Sequence, residues 1–237
     1  VKAVHTVREA MKQALAESLQ ESLLEVFQNN QRTGPFSIDH KAVGQRSLKN
    51  IALSYLMTLP AESILNRCLE QYQTADNMTD EMQALAFLAN RDYPDRQEAL
   101  DAFSRKWQDD PLVMNIWFTI QAASKLTDIG TVKNLLKHPR FDIKNPNKIR
   151  ALIGTFCSVN HINFHSADGS GYQFLGDQIE RLNQINPQIA ARLLTPLTRW
   201  RKFDSKRQSL MKSQIKRILE ITDLSKDVYE IASKSLK

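Results

Sequence analysis

Residues Phe164–Trp200 read FHSADGSGYQFLGDQIERLNQINPQIAARLLTPLTRW and hold three of the seven glycines, Gly169, Gly171 and Gly176. The stretch predicts an irregular glycine-marked loop followed by two amphipathic helices. In the second of these, Asn186 is placed as the cap and Pro187 as the first helical residue, where its missing N–H has no helical partner to lose. Behind them Ile189, Leu193, Leu197 and Trp200 fall on one helical face, while Gln188, Arg192, Thr195 and Arg199 fall on another. The first set predicts a buried side. The second predicts a donor-rich stripe standing away from it, and an ordered Gln/Arg pair there is a candidate for specific contact.

The same cap-plus-proline device recurs at Asp110-Pro111 and Asn145-Pro146, each ahead of an apolar helical pattern. Upstream, Val7, Met11, Leu15, Leu19, Leu23 and Phe27 step by four residues through a long helix from Val4 to Gln28. That spacing drifts around the helix and predicts a bend or break near Ser18–Ser22. A loop around Thr33-Gly34-Pro35 leads to a second helix from Asp39, with Leu48, Ile51, Ala52, Tyr55 and Leu56 as its apolar set. Further patterns cover about 61–73, 79–90, 94–107, 111–125, 127–137, 203–220 and 225–236. Thr79 with Asp80 and Glu81 behind it reads as a helix start, acids in the first turn suiting the macrodipole.

β-branched alternation is scarce, and seven glycines and eight prolines leave little turn chemistry for a sheet. The fold class expected is therefore all-α. Closely spaced helices with short loops predict a superhelical array of antiparallel helix pairs, of the armadillo/HEAT-like solenoid kind, spanning 1–237 as a single helical-repeat domain. No repeat consensus is visible at the residue level, and a compact irregular bundle is the alternative.

A composition of 42% hydrophobic and 24% charged residues is that of an ordinary globular chain. No apolar run reaches the ~18 residues of a membrane-spanning helix, and nothing resembles a signal peptide. Cys68 and Cys157 sit among apolar helical neighbours and read as buried free thiols of a reducing compartment, the cytoplasm. The chain opens at Val1 already inside a helical pattern, so a piece of something longer is expected. Net charge is +6, and Arg199–Arg217 alone holds eight basic residues and one acid, whereas Ala61–Asp110 holds eleven acids and five bases. This asymmetry permits a basic face for nucleic acid, with Trp200 and Phe203 interleaved as stacking groups, or electrostatic complementarity between the two regions or with a partner. A solvated helix whose aromatics turn inward explains the basic run equally.

Three constellations resemble chemistry. His161 and His165 have the i, i+4 spacing of a zincin helix, but Ile162 replaces the glutamate that would act on metal-bound water, and the neighbouring Asn160, Asn163 and Ser166 suggest a loop with surface histidines. Gly171-x4-Gly176 begins like a phosphate loop, yet Asp177 stands where lysine is needed. Cys157 as a nucleophile competes with its reading as core between Phe156 and Val159. Carboxylate pairs in the acidic half read as a solvated face.

A set of ordered motifs points further: Asn145-Pro146-Asn147-Lys148-Ile149-Arg150, Phe164-His165, Asp168-Gly169-Ser170-Gly171-Tyr172, Asn186-Pro187-Gln188 with Arg192, and Leu224-Ser225-Lys226-Asp227-Val228-Tyr229-Glu230. Together they resemble the C-terminal domain of the bacterial aminopeptidase N family, zinc-dependent alanyl aminopeptidases of the gluzincin group. The resemblance covers the whole chain and is strongest from Asn145 onward. It implies a non-catalytic, all-helical domain that packs over the catalytic domain of the same polypeptide, encloses the active-site chamber and restricts entry to small peptides. It also implies that zinc and its His-Glu-x-x-His ligands belong to that catalytic domain. No such motif occurs in this sequence.

Carried over motif by motif, the resemblance places Arg150, Gln188 and Arg192 on the chamber side, as substrate-binding residues. A guanidinium can pair with the C-terminal carboxylate of a short peptide, and a glutamine can serve backbone amides. Lys148 stands where relatives often carry arginine, which keeps the charge and loses the bidentate geometry. For Arg150, pairing with a neighbouring carboxylate at a helix contact is the competing explanation. A free-standing helical-repeat scaffold binding a protein partner, and a basic nucleic-acid binder using 199–217, are the alternatives at the level of function.

Overall fold

The computed structural model describes residues 1–31 and 34–237. Thr33 of the predicted Thr33-Gly34-Pro35 loop therefore lies outside the described residues. All regular structure in the described residues is helical, and it falls into two compact units, Lys2–Lys106 and Trp107–Lys237.

The N-terminal unit holds α1 (Lys2–Ser18), α2 (Gln20–Asn29), α3 (His40–Leu56), α4 (Glu62–Thr74), α5 (Met78–Ala89) and α6 (Arg96–Trp107, whose last residue enters the next unit). The break expected near Ser18–Ser22 is a bend at Leu19. Its φ of −115° and ψ of 18° leave the helical region, yet Leu19 N–H still bonds Leu15 O at 3.0 Å and Leu23 N–H bonds Leu19 O at 2.8 Å. The long stripe does not bury as its spacing suggested. Val7, Met11, Leu15 and Leu19 are exposed, and so are Leu48 and Ile51 of α3, while Ala16, Phe27, Ala52 and Leu56 are buried.

Helix α5 begins one residue ahead of the sequence expectation, because Asn77 rather than Thr79 caps it, accepting from Asp80 N–H at 3.0 Å. Asp80 and Glu81 are not a solvated face. Both are buried, and each meets a lysine: Lys49 Nζ lies 2.7 Å from Asp80, and Lys106 Nζ lies 2.8 Å from Glu81. Asn50 also donates to Asp80 at 2.7 Å, and Gln71 Nε2 donates to Asn50 Oδ1 at 2.8 Å, so α3, α4 and α5 share one buried polar network. Burial alone would push the Asp80 carboxyl up, but hydrogen bonds from Lys49, Asn77 and Asn50 outweigh it and hold the pKa below its usual value.

The C-terminal unit runs through α7 (Pro111–Ala123), α8 (Ile129–Leu135), α9 (Pro146–Ile149), a π-helical turn (Arg150–Gly154), α10 (Thr155–Ser158), α11 (His161–Phe164), α12 (Ser170–Ile185), α13 (Pro187–Leu193), α14 (Thr195–Thr198), a 3-10 turn (Trp200–Lys202), α15 (Ser205–Leu219) and α16 (Lys226–Leu236). All three cap-plus-proline sites cap as expected. Asp110 Oδ1 accepts from Leu112 and Val113 N–H, Asn145 Oδ1 from Asn147 and Lys148 N–H, and Asn186 Oδ1 from Ile189 N–H. The aromatic core centres on Phe156, edge-to-face with Phe164 at 6.2 Å and Phe174 at 5.8 Å, and Phe164 meets Tyr172 at 5.4 Å. Cys68 and Cys157 are free and buried, and burial raises both thiol pKa values, Cys68 to about 12.

The segment that opened the sequence analysis is more helical than its glycines suggested. Gly169 alone uses glycine's backbone freedom, at φ 78°, and α12 starts one residue later. Gly171 and Gly176 lie inside α12; at Gly171 backbone comes too close for a side chain, whereas the atoms near Gly176 are flexible side-chain ends. A Cβ on Gly171 would sit 2.1 Å from Phe164 O, and one on Gly176 would sit 2.3 Å from Arg217 Nη2.

Candidate functional site

The helix after Asn186 is interrupted where its own sequence requires it. Pro196 has no N–H for the carbonyl of Arg192, and Thr195 Oγ1 donates to that carbonyl instead, at 2.9 Å. The result is α13, then α14, with Ile189, Leu193 and Leu197 buried and Gln188, Arg192, Thr195 and Arg199 exposed. The predicted donor stripe is therefore on the surface. The Arg192 guanidinium and the Gln188 amide make no hydrogen bond or ion pair among the described residues.

Arg150 stands at the start of a feature the sequence did not reveal. Helix α9 does not continue as an α-helix. Residues Arg150–Gly154 open into a π turn, in which Thr155 N–H bonds back to Arg150 O and Thr155 Oγ1 donates to the same carbonyl at 3.3 Å. Such widened turns insert one residue into the helical register and recur at functional sites. Gly154 closes the turn, and a Cβ there would lie 3.8 Å from Leu193 Cδ2 and 3.9 Å from Arg150 Cβ. Gly154, at the end of that turn, thus faces the Leu193 side chain. Arg150 is exposed and Asn147 Oδ1 accepts from its Nη1 at 3.1 Å, so its neighbour is an amide and not the carboxylate offered as the competing explanation.

Lys148 does not join this surface. It is buried, its Nζ donates to Pro111 O at 3.4 Å and lies 5.4 Å from the centre of the Phe118 ring, and desolvation followed by the charge of Arg140 lowers its pKa. Its position one residue after Asn147 points it inward, to hold α9 against α7. What remains outside is two guanidiniums and a carboxamide with no acid among them, an arrangement that can receive a carboxylate and the amides next to it.

The histidines are differently placed from the surface pair expected. His161 is exposed, but His165 is buried, stacked on Phe203 at 4.3 Å and hydrogen-bonded through Nδ1 to Tyr172 Oη at 2.9 Å. Desolvation, helped by the charges of His161 and Arg207, lowers its pKa to about 4, so the ring is neutral near pH 7. The two imidazoles lie parallel, 5.8 Å apart at 8°, and do not converge on a common point. Among the described residues no group of three His, Cys, Asp or Glu side chains could hold a metal ion.

In the basic run, the aromatic groups face the protein. Phe203 packs on His165, and Trp200 Nε1 donates to Ser235 O at 3.0 Å. Arg207 pairs with Asp204, and Arg217 pairs with Asp177 at 2.7 Å. The aromatics are thus not free as a stacking platform. No helix among the described residues is long and apolar enough to cross a membrane.

The family described as a domain of unknown function (DUF3458_C), ARM repeats, matches residues 1–237. The chain is 37% identical over 238 residues to aminopeptidase N of Escherichia coli K12 and 37% identical over 235 residues to aminopeptidase N of Haemophilus influenzae, covering 99% of this chain and 27% of each relative. A crystal structure of Legionella pneumophila aminopeptidase A in complex with aspartic acid superimposes with a TM-score of 0.90 at 34% identity, over 99% of this chain and 28% of that one. This chain therefore spans about a quarter of the length of the relatives it matches, in their C-terminal region. The fold expected from helix rhythm is the one these matches carry: the chain belongs to the DUF3458_C ARM-repeat family and is homologous to the C-terminal part of the bacterial aminopeptidases N.

Proposed function

We propose that residues 1–237 act as one non-catalytic helical-repeat domain of a zinc aminopeptidase, capping the active-site chamber and restricting it to small peptides. Arg150, Gln188 and Arg192 line the substrate route. Zinc and the hydrolytic machinery belong to the catalytic domain of the same polypeptide, which is this domain's partner, and the whole enzyme works in the cytoplasm. The observation that carries the reading is the pair Arg192 and Gln188 on α13, both exposed and without a partner among the described residues. A short peptide bound by its N-terminus at a metal presents its C-terminal carboxylate farther out, and unpaired guanidiniums suit that group.

Arg192→Ala in the full-length enzyme tests this. Loss of a charge-assisted hydrogen bond of about 1.5–3 kcal/mol corresponds to roughly a 10- to 100-fold rise in KM. The rise should appear for a tripeptide. An aminoacyl anilide, which has no C-terminal carboxylate, should keep its KM, and kcat on both should hold within about twofold. Equal changes on the two substrates, or no change across di-, tri- and tetrapeptides, would remove Arg192 from the substrate route.

A further inference from the structure

The stripe that carries Gln188 and Arg192 continues to Arg199. At 100° per residue Gln188, Arg192, Thr195 and Arg199 fall within an arc of about 60°, and all four are exposed. Pro196 interrupts the hydrogen bonding but not the winding. Leu194 keeps helical dihedrals, φ −67° and ψ −21°, its N–H bonds Ala191 O at 3.3 Å, and Thr198 N–H bonds Leu194 O at 3.3 Å. From Arg192 to Arg199 the backbone therefore advances about 10 Å along one side of α13 and α14.

Arg199 also differs from the other arginines of the basic run. Arg201 donates to Ser235 O at 2.9 Å and lies 4.1 Å from the centre of the Trp200 ring. Arg207 donates to His165 O and to Asp204, and Arg217 pairs with Asp177. Arg199 has no hydrogen bond, ion pair or ring contact among the described residues. No Asp or Glu occurs in the sequence between Glu180 and Asp204, and the Asp204 carboxylate is taken by Arg207.

An extended peptide advances about 3.3 Å per residue, so about 10 Å corresponds to roughly three residues. We infer that Arg192 and Arg199 are two stations for the C-terminal carboxylate of the substrate, Arg192 for short peptides and Arg199 for peptides about three residues longer. This rests on the reading of Gln188 and Arg192 as substrate contacts. The direction follows from their chemistry. Gln188, which serves backbone amides, precedes Arg192, which receives the carboxylate, so the peptide runs toward the C-terminal end of α13 and a longer one meets Arg199. Thr195 stands between the stations. Its Oγ1 donates to Arg192 O, which leaves its lone pairs to accept an amide N–H of the passing chain. A guanidinium suits both stations because it meets a carboxylate with two parallel N–H groups.

Steady-state kinetics of the full-length enzyme on peptides of two to about seven residues, each as free acid and as C-terminal amide, test this. Arg192→Ala and Arg199→Ala are compared length by length. Arg199→Ala should raise KM about tenfold for free acids about three residues longer than those on which Arg192→Ala acts. Its kcat should hold within about twofold, and its short-peptide kinetics should be those of the wild type, which also shows that the variant is folded. The amides should show no such rise. Arg199→Lys, which keeps the charge and loses the parallel pair of N–H groups, should recover part of the loss. Unchanged KM on the long free acids, an equal rise on their amides, or action of both variants at the same length would overturn the inference. So would a wild-type enzyme that does not take the longer peptides. An intact Arg192 effect beside a silent Arg199 removes only the second station, whereas a silent Arg192 on short peptides sinks the substrate-route reading and this inference with it.

Discussion

Replacing Gly171 by alanine pits two effects of known sign against each other. In a helix interior the change from glycine to alanine ordinarily stabilises, by up to about 1 kcal/mol. At Gly171 the new Cβ would lie 2.1 Å from Phe164 O, 2.8 Å from Phe164 C and 2.9 Å from its Cα. These are backbone atoms and cannot rotate away. To restore an ordinary contact, α12 and the end of α11 must separate by more than an ångström. That movement also pulls on the His165–Tyr172 hydrogen bond at 2.9 Å and on the edge-to-face pair of Phe164 and Tyr172. Overpacking of about 1–3 kcal/mol and a strained hydrogen bond of about 1 kcal/mol exceed the propensity gain of up to about 1 kcal/mol, for a net loss of about 1–3 kcal/mol. The three tryptophans, Trp107, Trp117 and Trp200, all fall within the C-terminal unit, so urea unfolding followed by tryptophan emission reads the unit in question. Gly154→Ala is the matched control, with its nearest contacts at an ordinary 3.8 Å, and should be neutral or stabilise by up to about 1 kcal/mol. If Gly171→Ala left the midpoint unchanged or raised it, the close approach of α11 and α12 would be wrong.

Two further outcomes follow from the buried polar groups. Lys49→Met leaves the Asp80 charge buried with Asn50 and Asn77 still donating, so the cost should be about 3 kcal/mol, the low end for a broken buried pair. It should appear in far-UV circular dichroism, and adding Asp80→Asn should recover more than half of it. Because the folded pKa of Asp80 is depressed, its contribution is full above the ordinary carboxylate value and fades as pH falls through the lower folded one. His165 gives the second pH signature. Its folded pKa of about 4 lies below the ordinary value of 6.5, so between these the unfolded chain binds the extra proton and stability of the C-terminal unit declines as pH falls across that window. The imidazole proton shifts of His165 should titrate near 4, and a midpoint near 6.5 would refute its burial against Phe203 and Tyr172.

Local signals carried most of the fold. Asp110-Pro111, Asn145-Pro146 and Asn186-Pro187 are capping devices whose whole mechanism lies within four residues, and each helix starts where the pair says. What the sequence concealed depends on distant partners. The glycines of α12 look like a loop because glycine is usually chosen for its backbone, yet Gly171 is required for its missing side chain, against the backbone of Phe164. Asp80 and Glu81 look like first-turn acids at a solvated start, and the lysines that pair with them, Lys49 buried and Lys106 exposed, come from α3 and α6.

The candidate site divides in the same way. Periodicity alone turned Gln188 and Arg192 outward, since Ile189, Leu193 and Leu197 claim the other side. Arg150 could not be joined to them by periodicity, because it belongs to a different helix, whose placement depends on distant packing. The motif alone supplied Arg150. Lys148, two residues earlier in the same motif and of the same charge, goes under Phe118 instead. Charge and motif membership therefore do not separate a surface cation from a structural one here. Packing does: Lys148 is enclosed between Pro111 O and the Phe118 ring, whereas Arg150, on the next turn, is left in solvent with only Asn147 as its partner.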